Sequence, residues 1–528
     1  MTARLLPVGD AAVSVELGST IEGALAARVR ALDHALRADP PPGFLEALPT
    51  YRALLVVFDP LATSPGEVGR HVARLAEADR AEPPPRAHVV PTCYGGDAGP
   101  DLRSVAAATG LSEAEVVARH AGHEYTAWML GFTPGFAYLG PVPPPLQAVP
   151  RRDTPRPRVP AGSVALATGQ TAVYPHASPG GWQLLGLTAL RLFDATADPP
   201  ALIAPGDRVR FVPTGSAPSA PAPAAPAPRG PVEVVETGLL ATVQDQGRFG
   251  CRRYGVGSGG AADPLALAAA NRLVGNPPGA AGIEATGPGL ALRFDAALHF
   301  ALTGADLGAE LERSDLGLWP VPRGQAVLAR PGNVLRLRER RAGLRAWLAV
   351  EGGVAVARVL GSRATDLVGS FGGLAGRALR PGDRLPVGGE RGAPSLAAWE
   401  AAPAAAVVTL RVVLGPQDDH FSEQARRDFL QAEYAVEATS DRIGCRLAGP
   451  PLAHLGAGEI VTDGMLPGCV QVPPSGQPIV MGPDAPTTGG YPKIAAVVRA
   501  DLPLLAQLVP GESRVRFAAV ARTSEARP

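Results

Sequence analysis

Apolar residues along the chain fall into two patterns. Over most of its length short runs alternate apolar with polar positions, the period of a half-buried strand. A few stretches instead repeat apolar residues every three to four positions, the period of a helix. AAVSVELG (11–18) reads as a strand. Ile21, Leu25, Val29, Leu32 and Leu36 mark a helix, and LEALPTYRALLVVFD (45–59) reads as two more strands. Ser64 and Glu67 form a capping box for a second helix that should end near Asp79. Residues 1–82 therefore predict a small two-layer α/β sandwich.

After AEPPPRA (81–87) comes the strand HVVPTCYG, then helical spacing in 101–110 and 112–121. GFTPGFAYLG (131–140) packs three aromatics and three glycines into ten residues and predicts an irregular loop with apolar anchors. Strands and turns continue to 213, passing an Arg151, Arg152, Arg156 and Arg158 cluster suited to carboxylate or phosphate. The Pro/Ala tract 214–230 cannot build a core and reads as an extended linker. Beyond it, 231–392 reads as a strand-rich unit. Asp263 and Pro264 start a helix running through Leu273. A glycine run ahead of that helix offers a place for an anion. A break at 393–405 precedes the last unit, 406–520, and a tail, 521–528.

Pro205-Gly206-Asp207, Pro381-Gly382-Asp383 and Pro510-Gly511-Glu512 each precede what reads as a unit's closing strand, so 83–213, 231–392 and 406–520 read as three related β-rich modules.

Composition narrows the function classes. The 528 residues carry no net charge and only 19% charged residues, which gives no footprint for nucleic acid or an anionic membrane. The four cysteines are far apart, so neither a metal nor a redox framework is expected. No apolar run reaches membrane-spanning length, and a cytoplasmic location is expected. There is no GK[ST] phosphate loop, no CxxC, no HExxH and no GxSxG elbow.

The sole lysine, Lys493, sits in Thr487-Thr488-Gly489-Gly490-Tyr491-Pro492-Lys493. Two hydroxyls, a phenol and an ammonium beside two glycines suit an anion or a polarised carbonyl.

These motifs resemble a known family. GFTPGFAYLG, TPRPRVPAGSVALATGQTAVYP, SPGGWQLLGLT and PGDRVRF in the first half resemble the B subunit of the bacterial ATP-dependent 5-oxoprolinase, formerly allophanate hydrolase subunit 1 or a sporulation-kinase inhibitor. TVQDQGRFG, ADPLALAAANRLVGN, GSRATD, VQVPPSGQPIV and TTGGYPKIA in the second half resemble the C subunit of the same enzyme, formerly allophanate hydrolase subunit 2. Both halves also resemble the carboxyltransferase region of urea carboxylase.

The resemblance implies a mixed, mainly β protein: a small N-terminal α/β sandwich followed by three cyclophilin-like β-barrels. It implies a separate A subunit and the opening of 5-oxo-L-proline to L-glutamate, with ATP and Mg2+ as cosubstrate. A homo-oligomer is expected. Lys493 is not flanked by methionines, so no covalently attached biotin is expected on this chain.

Chemistry and placement, not the family, suggest the site residues. Lys493, Thr487, Thr488, Arg248 and Arg363 are candidate donors to phosphate or carboxylate. Asp366, Asp245 and His123 are candidate bases. Tyr491, Gln170, Phe132 and Phe136 are candidate substrate contacts. Ala137, Leu187 and Ala485-Pro486 depart from the family pattern, which usually has proline, arginine and Arg-Gln there; the two missing arginines raise the alternative of another substrate. The competing functions are carboxyl transfer from carboxybiotin to a urea or amide acceptor, and docking on a histidine kinase.

Overall fold

The computed structural model describes residues 3–77, 84–215, 229–389, 392–399 and 407–520. The expected helix end near Asp79, most of the 214–230 linker and the 521–528 tail lie outside these residues.

The first unit is an antiparallel sheet in the order Arg4–Pro7, Ala12–Glu16, Ala53–Phe58, Phe44–Pro49. Two helices, Gly23–Ala38 and Pro65–Ala76, cover one face. Leu25, Val29, Leu32 and Leu36 are buried as their spacing requires, while Ile21 lies before the helix and is exposed. The Ser64–Glu67 capping box is formed in both directions. Ala53–Phe58 is buried at every position because both faces of the sheet are covered. Leu54, Val56 and Phe58 point to the helices. Leu55 and Val57 pack with Met465, Leu466, Cys469 and Ala485 of the last unit.

The chain then forms two closed seven-stranded barrels, spanning Ala87–Pro213 and Val407–Ala519. Numbered one to seven in chain order within each barrel, the strands of both close in the cyclic order 1-6-4-5-3-2-7. The closing strand runs parallel to the opening strand in each: Arg208–Pro213 beside Ala87–Tyr94, and Arg514–Ala519 beside Val407–Leu414. Between the barrels, a six-stranded and a five-stranded sheet enclose one core. Here too the strand after the Pro-Gly-Asp turn, Arg384–Leu385, pairs with the opening strand Val232–Thr237.

The repeated turn therefore leads each time into a strand beside the unit's opening strand, parallel in the two barrels and antiparallel in the middle unit. Gly206, Gly382 and Gly511 stand at φ +98, +87 and +81, where a side chain would be strained. Asp207 and Asp383 accept backbone N–H bonds from Ala204 and Arg380, three residues back.

The helix Pro264–Leu273 starts as its sequence requires, with the Asp263 side chain accepting from Ala266 N. The 131–140 stretch divides: 131–136 is irregular, whereas Ala137–Gly140 pairs with Glu124–Leu130 as a strand. In the 392–399 segment Ser395 N donates to Leu273 O and Trp399 N to Gly324 O, so this piece lies against the middle unit.

The first barrel buries a neutral histidine. His120 is enclosed between the Tyr94 hydroxyl, 2.7 Å from Nδ1, and the Thr171 hydroxyl, 2.8 Å from Nε2. Burial lowers its pKa to about 3, with a smaller effect of His123. A lowered folded-state value means that the unfolded chain binds the extra proton first, so stability is lost as pH falls below the unfolded value near 6.5. Between pH 6.5 and 5 this group should remove about 2 kcal/mol. Urea midpoints at the two pH values test this, and His120→Gln should flatten the dependence; an unchanged slope in the variant would refute the assignment.

Candidate functional site

The strand Lys493–Val497 is the sixth strand of the last barrel; its counterpart in the first barrel is Gln183–Leu187. Both follow a Gly-Gly-aromatic segment, Gly489-Gly490-Tyr491 and Gly180-Gly181-Trp182. Only the last barrel has an ammonium at the start of this strand. Lys493 is fully buried, and its Nζ lies 3.5 Å from Asp463 Oδ2, also buried. This exceeds the roughly 2.8 Å of a tight charge-assisted bond, so the pair is matched without being clamped.

Asp463 is placed by a two-residue ladder in which Asp463 and Gly464 pair with Gly489 and Thr488. Gly464 N donates to its Oδ1 at 2.7 Å, and Gln417 Nε2 lies 3.4 Å from Oδ2. Gln417 also accepts from Lys493 N. Gln417 thus ties the ammonium's strand to its counter-ion. Glu16, from the N-terminal sheet, adds a further carboxyl. Burial raises its pKa first, Arg52 opposes this, and Asp463 and Lys493 both act on its charge.

The turn before Lys493 meets the first barrel. Phe132 N donates to Thr488 Oγ1 at 3.1 Å, although the residues are 356 positions apart. A Cβ on Gly131 would come within 2.3 Å of that hydroxyl, so glycine is needed for the approach. Phe132 itself stands at φ +65, a left-handed conformation that is uncommon without glycine. Burial pushes the Tyr138 phenol up to about 12, while a hydrogen bond with the Thr488 side chain lowers it. Phe132, Phe136, Tyr138, Tyr174 and Trp182 pack edge to face behind this contact. Gln170 accepts from the buried Tyr51 hydroxyl at 2.8 Å.

The middle unit closes the junction. Arg252 donates through Nε to Glu46 Oε1 at 3.1 Å and through Nη1 to Met465 O at 3.0 Å. One buried side chain so joins the N-terminal sheet to the last barrel. Arg442 joins the last barrel to the middle unit, pairing with Asp484 and Glu284 and donating to Gly260 O. Gly260 belongs to the glycine run expected to offer an anion site, and this bond takes its carbonyl.

The sequence candidates thus fall into three groups. Lys493, Thr487, Thr488, Phe132, Phe136 and Gln170 lie at or beside the contact between the barrels. Arg248 and Asp366 form a neighbouring pair, 4.0 Å apart. Asp245 accepts from Gly247 N, Ser362 Oγ and Arg363 N, and Arg363 Nε donates to Val356 O, so these two brace the loops around that pair. Tyr491 is half-buried ahead of Lys493. His123 stands at the far end of the strand Glu124–Leu130, roughly 26 Å along it from Gly131. Leu187 lies in the first barrel's sixth strand, and Ala485 is buried against the N-terminal sheet. Asp463, Gln417, Glu16 and Glu46 were not among the candidates. Glu46 and Glu284 did leave a signal, as single charges within the apolar strands FLEALP and GIEAT. Among the described residues, no group of three or more His, Cys, Asp and Glu side chains could hold a metal ion, and no helix is long and apolar enough to cross a membrane.

The two barrels and the units packed with them have relatives of known class. Residues 254–519 match the model for the carboxyltransferase domain, subdomain A and B, and residues 3–203 that for subdomain C and D. The chain belongs to this carboxyltransferase-domain family. Its second half is 39% identical over 281 residues to the 5-oxoprolinase C subunit of Escherichia coli K12, covering 53% of this chain and 89% of that one. Its first half is 45% identical over 212 residues to the 5-oxoprolinase B subunit of E. coli O157:H7, covering 40% of this chain and 96% of that one. Two proteins that are separate subunits elsewhere are here joined in one chain, B-like half first. The chain is also 31% identical over 309 residues to the urea amidolyase of Lachancea kluyveri, covering 53% of this chain but 16% of that much longer one. The crystal structure of TTHA0988 superimposes with a TM-score of 0.85 at 36% identity, covering 96% of this chain and 100% of that one.

Proposed function

We propose that the chain is the fused B–C component of a cytoplasmic, ATP-dependent 5-oxoprolinase that opens 5-oxo-L-proline to L-glutamate together with a separate A subunit. The observation that carries this reading is the contact between Phe132 N and Thr488 Oγ1 beside the buried Lys493–Asp463 pair. The polar group is complete only when the B-like and C-like halves are together.

A five-membered lactam resists water, and ATP supplies the activation. The lactam oxygen attacks the γ-phosphorus, and the bond to ADP breaks. One water then adds to the activated carbon. The ring C–N bond breaks, its nitrogen takes a proton, and an acyl phosphate remains. A second water releases phosphate and leaves L-glutamate. Charge builds on the lactam oxygen and the moving phosphoryl group, where a desolvated ammonium acts most strongly. Lys493 fills that role, Asp463 and Gln417 hold it in place, and Thr487 and Thr488 offer hydroxyls. Mg2+ enters as the counter-ion of the ATP phosphates. Magnesium binds through one or two carboxylates, phosphates and water rather than a protein cage.

The test is release of phosphate and glutamate from 5-oxo-L-proline and ATP, with the chain alone and with the A subunit from the same genome. Turnover in the mixture is expected. A formed complex without turnover would refute the reading, and the likeness to urea amidolyase would then direct the assay to carboxybiotin and amide acceptors.

A further inference from the structure

The lactam chemistry leaves Arg248 without a role. It lies in the TVQDQGRFG motif, and its side chain has no solvent exposure. One guanidinium nitrogen donates to Ala364 O. Nε and Nη1 have no hydrogen-bond partner. Asp366 Oδ2 lies 4.0 Å from Nη1, beyond hydrogen-bond reach. Folded proteins seldom leave buried donors unmet, least of all on a cation.

The surroundings are built around this side chain. The loop holding GSRATD carries Leu360, Ser370 and Ala375 at φ +52, +57 and +57. Left-handed residues other than glycine persist where packing over-determines them, and they gather at ligand sites. A Cβ on Gly372 would come within 2.8 Å of Arg248 Nη2, so the backbone presses directly on the guanidinium. The Phe371 ring lies 5.0 Å from the guanidinium carbon. From the first barrel, Pro134 reaches the same loop: a Cβ on Gly369 would meet its ring at 3.0 Å. Next to Pro134, Thr133 is 3% exposed and its hydroxyl has no partner. From the last barrel, the fully buried Thr487 hydroxyl also has none. Three units thus each hold a buried polar side chain with unpaired hydrogen-bonding atoms: Arg248 in the middle unit, Thr133 in the first barrel and Thr487 in the last.

We propose that Arg248 recognises the carboxylate of a small cyclic substrate, with Thr133 and Thr487 as further donors and Phe371 and Pro134 against the ring. This rests on the lactam-opening reading and names the specificity residue of that site. A neutral lactam would leave the guanidinium unpaired, and sites built to pair a polar group reject ligands that lack it.

The experiment compares the wild-type chain with Arg248→Met and Arg248→Lys, each assembled with the A subunit. The KM for 5-oxo-L-proline should rise roughly 10- to 100-fold in Arg248→Met with the KM for ATP unchanged, and Arg248→Lys should recover part of the loss. Direct titration of the full chain with 5-oxo-L-proline, 2-pyrrolidinone and inorganic phosphate supplies a readout that needs no turnover. Wild type should prefer 5-oxo-L-proline to 2-pyrrolidinone, and Arg248→Met should not. A raised KM for ATP or lost phosphate affinity, with lactam binding intact, would assign the oxyanion to phosphate and overturn the carboxylate proposal. Unchanged binding in both variants would assign the donors to buried water and overturn it equally. If the wild-type complex turns over no 5-oxo-L-proline, the function fails, and titration alone decides Arg248. Arg248→Lys keeps the charge, so the test survives misfolding of the methionine variant.

Discussion

Lys493→Met should lower kcat for 5-oxo-L-proline by about 10²–10³-fold, the usual effect of removing a preorganised charge-stabilising group. The same change strands Asp463, which is buried and left with Gly464 N and a 3.4 Å contact to Gln417. A buried carboxylate that loses its cation destabilises a protein by about 3–5 kcal/mol, so lost activity alone would be ambiguous. The double variant Lys493→Met, Asp463→Asn separates the two effects. It should regain most of the lost thermal stability, because the stranded charge is gone, and it should stay inactive. Recovery of activity in the double variant, or near wild-type turnover in the single one, would remove Lys493 from the chemistry.

A loss of stability as large should come from Arg442→Met, without a direct effect on the chemistry. This guanidinium answers two buried carboxylates from different units, Glu284 and Asp484. Burial acts against its charge, yet Asp484 and Glu284 together hold its pKa above the ordinary arginine value. Glu284 keeps other partners, accepting from Trp347 Nε1 at 3.0 Å and Ala262 N at 2.8 Å with Arg345 at 3.7 Å. The substitution should still destabilise the chain by about 3–5 kcal/mol, seen as a lower midpoint in urea. Adding Glu284→Gln and Asp484→Asn should restore a large part. A change below about 1 kcal/mol would mean that water reaches the carboxylates once the arginine is gone.

Local chemistry was readable along the chain, and contact across it was not. Ser64 with Glu67, and Asp263 with Pro264, announce helix starts because a cap is decided within three or four residues. The three Pro-Gly-Asp/Glu turns exposed the repeated strand closure for the same reason. Lys493, Thr487 and Thr488 drew notice through rarity and crowding. Asp463 did not, because one Asp-Gly pair thirty residues earlier looks like any turn until the sheet folds it back. Asp245 and Asp366 look alike in sequence. Only the fold shows that three donors saturate the first, whereas burial raises the pKa of the second. His123 shares a chain neighbourhood with 131–136, but strand geometry carries it to the opposite end. Complete burial of Ala53–Phe58 likewise depends on the distant surface that covers its second face.

The contact between Phe132 and Thr488 also bears on supply inside the cell. When the two halves are made as separate proteins, the number of finished centres is set by whichever half is scarcer, and the surplus exposes an unmatched face. A single chain removes that dependence: each translation event delivers both partners in a one-to-one ratio, and no half waits for the other.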